Sequence, residues 1–127
     1  MIVLLDSTEL IDTLRDRDGK RGLLAELVTD GHRLATSVID IGEVYSGIRS
    51  GEEAATEAFF SNIECYPVTA EIARRAGELR NLWLRKGRTL TLDDMIVAAT
   101  ALEYGAKLMT QNRKDFPVEG LEFYSAS

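Results

Sequence analysis

The chain has 127 residues, 45% of them hydrophobic, and a formal net charge of −6. This length and composition predict one globular domain with a single core and exclude a disordered chain. The negative charge argues against a protein that coats nucleic acid non-specifically, because such proteins are usually basic, but it still permits a nuclease with a local basic patch.

Strand and helix patterns alternate through the first half of the chain. An apolar run of four residues ends at Asp6, and a helical stripe of leucines is closed by Gly31, a residue type that favours the position after a helix. Ser37 and Asp40 have the spacing of a capping box at the start of the next helix. The predicted elements are a strand at 2–5, helices at 8–16 and 20–30, a strand at 34–36 and a helix at 37–48.

The second half continues this alternation. The predicted elements are a helix at 52–61, a strand at 63–67, helices at 70–86 and 92–104, and strands at 107–110 and 121–124. Strands separated by helices of this size imply right-handed crossovers. We therefore expect an α/β fold, a three-layer α/β/α sandwich with a mainly parallel sheet of four to five strands, formed by one domain over 1–127.

The scarcity of cysteine and histidine limits the available chemistry. A single cysteine, Cys65, excludes an internal disulfide or a thiolate metal cluster, and its place in a predicted strand indicates a buried thiol. The single histidine, His32, argues against a histidine-based zinc site or a histidine triad. No basic leader opens the chain and no apolar run reaches the roughly 18 residues that span a bilayer, so we expect a cytoplasmic protein.

Four acidic residues lie at or near the predicted carboxyl ends of strands, the edge where α/β folds place their sites. They are Asp6, Glu43, Asp94 and Asp115. Three of them have a structural alternative when taken singly. Asp6 can cap the following helix, Asp94 fits a capping box with Thr91, and Asp115 can be a turn residue.

Two further acids are interpreted as helix caps. Asp40 lies three residues after Ser37 and can complete its capping box, and Asp93 is adjacent to Asp94, so only one of those two needs to face a site. Glu43 has no such role, because apolar residues flank it and a buried acid needs a partner or a proton. We therefore interpret Glu43, and not Asp40, as functional.

Taken together, the four acids predict a divalent-metal site. Carboxylates from separate elements that gather at one edge repel one another unless a cation lies between them. Mg²⁺ takes oxygen ligands and is usually held by one or two carboxylates, waters and substrate phosphate. Such an ion lowers the pKa of an attacking water, and a second ion about 4 Å away stabilises the leaving oxygen in phosphodiester hydrolysis.

Four segments resemble the PIN-domain ribonucleases and, within them, the VapC toxins of VapBC toxin–antitoxin systems. The segments are Leu5-Asp6-Ser7, Ile41-Gly42-Glu43-Val44-x-x-Gly47, the run from Asp94 to Ala101, and the run from Leu108 to Phe116 with Thr110-Gln111-Asn112-x-x-Asp115. The resemblance extends over essentially the whole chain in order. The last two segments are its most specific part.

The resemblance implies a Mg²⁺- or Mn²⁺-dependent endoribonuclease that cuts structured RNA such as tRNA or rRNA. Asp6 and Asp94 would be the principal metal ligands, and Glu43 would assist in the metal site or orient water. Either Asp115 or Asn112 would fill the fourth position. The resemblance also implies a homodimer and a cognate VapB-like antitoxin, whose tail enters the acidic site and through which a larger assembly reaches DNA.

Positive charge is concentrated in the segment 74–88. Two interpretations explain this concentration equally well: a solvated helix face and a surface that contacts RNA phosphates. Arg113 and Lys114 flank the proposed site and are further candidates for holding RNA. The basic residues of the segment are Arg74, Arg75, Arg80, Arg85, Lys86 and Arg88.

Two other functions compete with the nuclease. A receiver-like domain would use Asp6 as phospho-acceptor and needs a second acid at that strand end, whereas position 8 is threonine and Lys114 is the only lysine in a suitable place. A PIN-like RNA-processing or binding module that is not a toxin would tolerate loss of the acids, which this chain retains.

Overall fold

The computed structural model describes residues 1–125, in which strands and helices alternate along the chain. In order, the elements are β1 (Ile2–Leu5), α1 (Ser7–Leu14), α2 (Lys20–Thr29), β2 (Arg33–Ser37), α3 (Val38–Ser46), α4 (Glu53–Ser61), β3 (Glu64–Tyr66), α5 (Ala70–Arg85), α6 (Leu92–Tyr104) and β4 (Lys107–Met109). Single 3-10 turns lie at Arg17–Gly19 and Arg113–Asp115. Over this described range, no helix combines the length and apolar character needed to cross a membrane.

The four strands form one parallel sheet in the order β3-β2-β1-β4. The predicted α/β class and parallel sheet are therefore confirmed. The predicted strand at 121–124 is wrong, since this segment makes only an isolated parallel bridge between Leu108 and Phe123. Two backbone hydrogen bonds of 2.9 Å hold that bridge, both made by Leu108, and β4 is only three residues long.

Polar caps fix where the helices that follow the carboxyl edge begin. Asp6, Ser37 and Thr91 each accept a backbone hydrogen bond at the start of α1, α3 and α6. These side chains satisfy amide groups that have no partner inside the helix. At the other end, α6 stops at Gly105, whose φ of 63° lies in the left-handed region that favours glycine.

Side chains of β1 alternate between two hydrophobic cores, one on each face of the sheet. Leu4 is fully buried with Ile72 of α5 and Met95 of α6, whereas Val3 and Leu5 are buried on the face that α1, α2 and α4 cover. Each such burial contributes roughly 2 kcal/mol. This period-two pattern makes the sheet the middle layer of an α/β/α sandwich.

The strand order reverses between β1 and β4. From β1 the chain crosses one face of the sheet to β2, and it later crosses the opposite face through α5 and α6 to reach β4. The crevice at the carboxyl ends of two such strands is the place where open α/β sheets bind ligands. Asp6 and Thr110 follow directly on β1 and β4, so both lie at this crevice.

Candidate active site

Asp6 occupies the first position after β1 and is 7% exposed. One carboxylate oxygen accepts from the backbone N–H of Glu9 at 3.2 Å, and the other accepts from the Thr110 hydroxyl at 2.5 Å. Burial is the largest influence and raises the pKa of Asp6, the two hydrogen bonds lower it, and the charges of Glu9 and Asp94 raise it further. The capping role and the position at the crevice therefore coexist in this residue.

Asp94 lies on the first turn of α6, where its backbone N–H donates to the Thr91 hydroxyl at 3.1 Å. Partial burial raises the pKa of the Asp94 carboxyl, a hydrogen bond to Thr91 lowers it, and the charges of Asp115 and Asp93 raise it again. The residues that follow, including Ala98 and Ala99, are fully buried. Because they are small, α6 packs closely and brings Asp94 near β1.

Glu43 lies on α3 with its side chain largely exposed toward the same crevice. Partial burial raises the pKa of the Glu43 carboxyl, a hydrogen bond with Asp40 lowers it, and the charges of Asp93, Asp94 and Asp6 raise it. The effects of the two aspartate charges on its pKa indicate that Glu43 lies close to Asp6 and Asp94, which the sequence predicts as metal ligands. The structure thus brings Asp6, Glu43 and Asp94 together from three separate elements.

The interpretation of Asp40 as a capping residue is wrong. Ser37 caps α3 through the backbone N–H of Ile39 at 3.3 Å, whereas the Asp40 carboxylate accepts from the Thr36 hydroxyl at 3.3 Å. Asp40 is 1% exposed, and burial, followed by the charges of Glu43 and Asp6, raises its pKa to about 9. Asp40 therefore belongs with Asp6, Glu43 and Asp94, and these four residues are called the acidic cluster below.

Asp115 and Asn112 occupy different positions in the loop after β4. The charge of Asp115 raises the pKa of Asp94, so the Asp115 carboxylate lies at the edge of the acidic cluster. Asn112 is exposed, and its backbone N–H donates to Thr110 Oγ1 at 3.1 Å. Of the two candidates for the fourth position, Asp115 is the one whose charge reaches the acidic cluster.

The loop after β4 is held in place from two sides. Gln111 Nε2 donates to Asp12 Oδ2 of α1 at 2.6 Å, and the Arg88 guanidinium donates to the backbone carbonyl of Lys114. Neither contact could be read from the sequence, because the first joins residues 99 positions apart. Together they fix the segment that carries Asp115.

The basic segment 74–88 is partly used for internal contacts. Arg80 donates to the Leu90 carbonyl at 2.9 Å, and Arg88 combines its bond to the loop after β4 with a position 5.8 Å from the Trp83 ring centre. Lys86 lies over the same ring at 4.7 Å. Arg85 and Lys86 are exposed and remain available for RNA, whereas Arg88 has a structural role.

No member of the acidic cluster pairs with a basic side chain of residues 1–125. Within that range, no three Asp, Glu, His or Cys side chains are arranged so that they could hold an ion by themselves. Asp6 and Asp94, whose charges act on each other, offer oxygen ligands without a cation of their own. This donor set fits Mg²⁺, which is usually held by one or two protein carboxylates with waters and substrate phosphate.

Comparison with known proteins agrees with this geometry. The family model described as the PIN domain matches residues 3–118. The chain belongs to the PIN-domain family. The resemblance seen in the four sequence segments is thereby confirmed for the chain as a whole.

Similar PIN-domain proteins include two from Mycobacterium tuberculosis. Ribonuclease VapC19 is 38% identical over 115 residues, which cover 91% of this chain and 92% of that protein. Ribonuclease VapC10 is 33% identical over 117 residues, which cover 92% of this chain and 87% of that protein. Among solved structures, VapBC2 from Rickettsia felis, bound to a DNA fragment from its promoter, superposes with a TM-score of 0.83 at 25% identity and 98% coverage of both chains.

Proposed function

We propose that this PIN-domain protein is a VapC-type toxin, an endoribonuclease that hydrolyses phosphodiester bonds in structured RNA with a divalent metal ion. The observation that carries the proposal is the acidic cluster at the crevice between β1 and β4, whose four carboxyl groups have no basic partner within residues 1–125. The names of the two mycobacterial relatives, both ribonucleases, support the same reaction.

Asp6 and Asp94 are the proposed ligands of Mg²⁺ or Mn²⁺. Asp6 is held in one orientation by Thr110 and by the start of α1, and the carboxyl group of Asp94 has a hydrogen bond with the side chain of Thr91. When bound, the ion supplies a Lewis acid and favours ionisation of a water molecule at neutral pH. Neutral hydrogen-bond partners therefore position both aspartates and leave their negative charge available to a cation.

Glu43 is the proposed proton acceptor for the attacking water. Its carboxyl is more exposed than those of Asp6 and Asp40, so solvent and substrate reach it. The raised pKa of Glu43 makes it a better base near neutral pH than an unperturbed glutamate. The charge of Asp115 acts on Asp94, and we propose that it adds negative charge where a second ion would bind.

RNA would lie across the crevice with its phosphates near the exposed basic residues. Arg85 and Lys86 at the end of α5 and Lys114 beside Asp115 are exposed and have no acidic partner among the described ion pairs. Contacts of this kind fix the backbone of the nucleic acid without reading its sequence. This distribution of charge supports an acidic protein acting on RNA through a local basic surface.

A VapB-like antitoxin is the proposed protein partner. The solved structures most similar in fold include VapBC complexes, and VapBC2 is bound to promoter DNA, so an assembly that reaches DNA through the antitoxin is part of the proposal. A cationic side chain from the antitoxin would neutralise the acidic cluster. Exposed Leu84 and Leu92 line one surface depression between the end of α5 and the start of α6, and they support a homodimer through that face.

The test compares two adjacent aspartates in the same assay. Purified protein is incubated with total tRNA and rRNA in Mg²⁺, Mn²⁺ or excess EDTA, and cleavage is followed by sequencing of RNA 5′ ends. We expect metal-dependent cleavage that Asp94→Asn lowers by more than about a hundredfold, because a bound metal contributes several kcal/mol to the transition state.

Asp93→Asn is the matched control, since it removes the same charge one residue away. Asp93 acts on Glu43 and Asp94 through its charge alone and is not a proposed metal ligand, so this variant should keep most of the activity. Cleavage that survives EDTA, or equal activity of Asp94→Asn and wild type, would rule out the proposed metal-dependent nuclease.

A further inference from the structure

Asp40 is the most buried acid of the cluster and the one for which the proposed chemistry has no use. It is 1% exposed, and none of the ion pairs among residues 1–125 includes it. An ionised carboxylate in such a place, without a cation, costs several kcal/mol. Glu43 follows one helical turn later and Asp6 lies nearby, so their negative charges increase this cost.

Two contacts fix the orientation of the Asp40 carboxyl group. On one side, the Thr36 hydroxyl lies 3.3 Å from Asp40 Oδ2 and 3.0 Å from the Leu5 carbonyl, next to Asp6. On the other side, Glu43 follows three positions later on α3, where side chains are neighbours, and a hydrogen bond between its carboxyl group and that of Asp40 acts on the pKa of both. Two carboxyl groups that interact this closely share a proton unless a cation lies between them, and residues 1–125 place no basic side chain beside this pair.

The position of that proton follows from burial. Asp40 is enclosed and Glu43 is open to solvent, so the charge is better placed on Glu43 and the proton on Asp40. The hydrogen bond between them raises the pKa of Asp40 and lowers that of Glu43, in agreement with this assignment. Thr36 contacts Asp40 through Oδ2, and we assign the proton to the other oxygen, Oδ1, which remains to donate to Glu43.

We propose that Asp40 is a positioning residue, a buried carboxylic acid that donates a hydrogen bond to Glu43 and directs the Glu43 carboxylate toward Asp6 and Asp94. The arrangement runs from β2 through Thr36 to α3, so it is built on rigid elements. Its catalytic consequence rests on the proposed nuclease function, whereas the protonated state of Asp40 does not.

The variants Asp40→Asn and Asp40→Ala distinguish a neutral hydrogen-bond donor at position 40 from a required ionised carboxylate. Asp40→Asn still offers a donor to Glu43 and an acceptor to Thr36, so we expect kcat within about threefold of wild type. Asp40→Ala leaves Glu43 without its donor, and we expect kcat to fall about tenfold or more with an unchanged KM for RNA. If Asp40→Asn loses as much activity as Asp94→Asn, an ionised Asp40 is required and the inference is wrong.

A second variant keeps the test decisive if Asp40→Ala does not fold. Thr36→Val retains the shape of the side chain but removes the hydroxyl that orients Asp40. We expect kcat to fall in the same direction by a smaller factor, again without a change in KM. An unchanged kcat in Thr36→Val, or in a folded Asp40→Ala, would overturn the inference.

The protonated state is measured without RNA or metal. We expect the infrared difference spectrum between wild type and Asp40→Asn, recorded at neutral pH in EDTA, to contain the C=O band of one carboxylic acid. If that band is absent, the inference fails even though the enzyme cleaves RNA. If the band is present and wild type cleaves no RNA, only the proposed nuclease function fails.

Discussion

Buried acidic residues occur in two regions of residues 1–125, and basic side chains pair with the acids of only one region. On the inner face of α1, Glu9 is 2% exposed and lies 2.5 Å from the Lys20 ammonium. Asp12 is 7% exposed, lies 3.4 Å from Arg17 and accepts a hydrogen bond from Gln111. These two acids are structural, since each has its own positively charged partner.

The acidic cluster lies just beyond the same helix and has no such partners within residues 1–125. Its hydrogen bonds come from neutral groups, namely Thr110, Thr36, Thr91 and a backbone N–H, and burial raises the pKa of all four carboxyl groups. Buried charged groups that have a partner of opposite charge usually have a structural role. Unpaired acidic groups with a shifted pKa are typical of functional sites. The contrast supports the proposal that a cation from solution binds at the acidic cluster.

The largest effect should come from breaking the structural pair. Lys20→Met leaves the Glu9 charge buried without a partner, and we expect the free energy of unfolding to fall by about 3 kcal/mol. Urea denaturation measures this loss. The double variant Glu9→Gln/Lys20→Met has no buried charge and should recover most of the stability. If Lys20→Met is as stable as wild type, the Glu9–Lys20 pair does not stabilise the fold, and the proposed difference between the two regions is wrong.

The second effect is a dependence of stability on pH that comes from the acidic cluster. In EDTA, carboxyl groups whose pKa is raised bind more protons in the native than in the unfolded protein, so stability falls as pH rises. For Asp40 the window extends from its ordinary value of 3.8 to about 9. Urea midpoints measured from about pH 5 upwards avoid the lower range, where the lowered pKa of Glu52 and Glu64 has the opposite effect.

Asp40→Asn is the variant that sharpens this measurement. It removes the group with the widest pH window, and the slope of stability against pH should become shallower while the protein becomes more stable above neutral pH. Mg²⁺ should also reduce the slope of wild type, because an ion that binds only the native state stabilises it. A metal-free stability that stays constant or increases between neutral pH and pH 9 would contradict the assignment.

Local rules predicted much of this site from the sequence. Asp6 closes an apolar run, and Asp94 follows a capping threonine, so both positions were fixed by patterns that span only a few residues. Thr91 likewise caps the start of α6, and the predicted bounds of that helix, 92–104, are confirmed. Where strand ends and helix caps decide the position of a residue, the sequence suffices.

Long-range packing decided the features that the sequence did not predict. Ser37 and Asp40 have capping-box spacing, but which side of α3 is buried depends on its position against β1 and α6. The segment 121–124 has a strand-like composition, yet it pairs at Phe123 alone. The partners of Glu9 and Asp12 also come from other segments of the chain. No local pattern contains this information.

The smallest effect concerns Gln111, which joins the structural region to the acidic cluster. Its amide donates to Asp12, while the preceding Thr110 donates to Asp6. Gln111→Ala should lower the free energy of unfolding by about 1 kcal/mol, because one hydrogen bond to a charged group is lost and Arg17 remains beside Asp12. Urea denaturation of this variant and of Asn112→Ala, its exposed neighbour, gives the comparison.

Asn112→Ala should be close to wild type in stability, since Asn112 forms hydrogen bonds in this loop through its backbone. Both variants should retain most RNA cleavage, because Thr110 still holds Asp6 and Arg88 still holds the loop that carries Asp115. If Gln111→Ala instead lowers kcat far more than stability, then the paired acids of α1 also set the geometry of the unpaired ones. The two regions would then act as one unit, with Gln111 as the link between them.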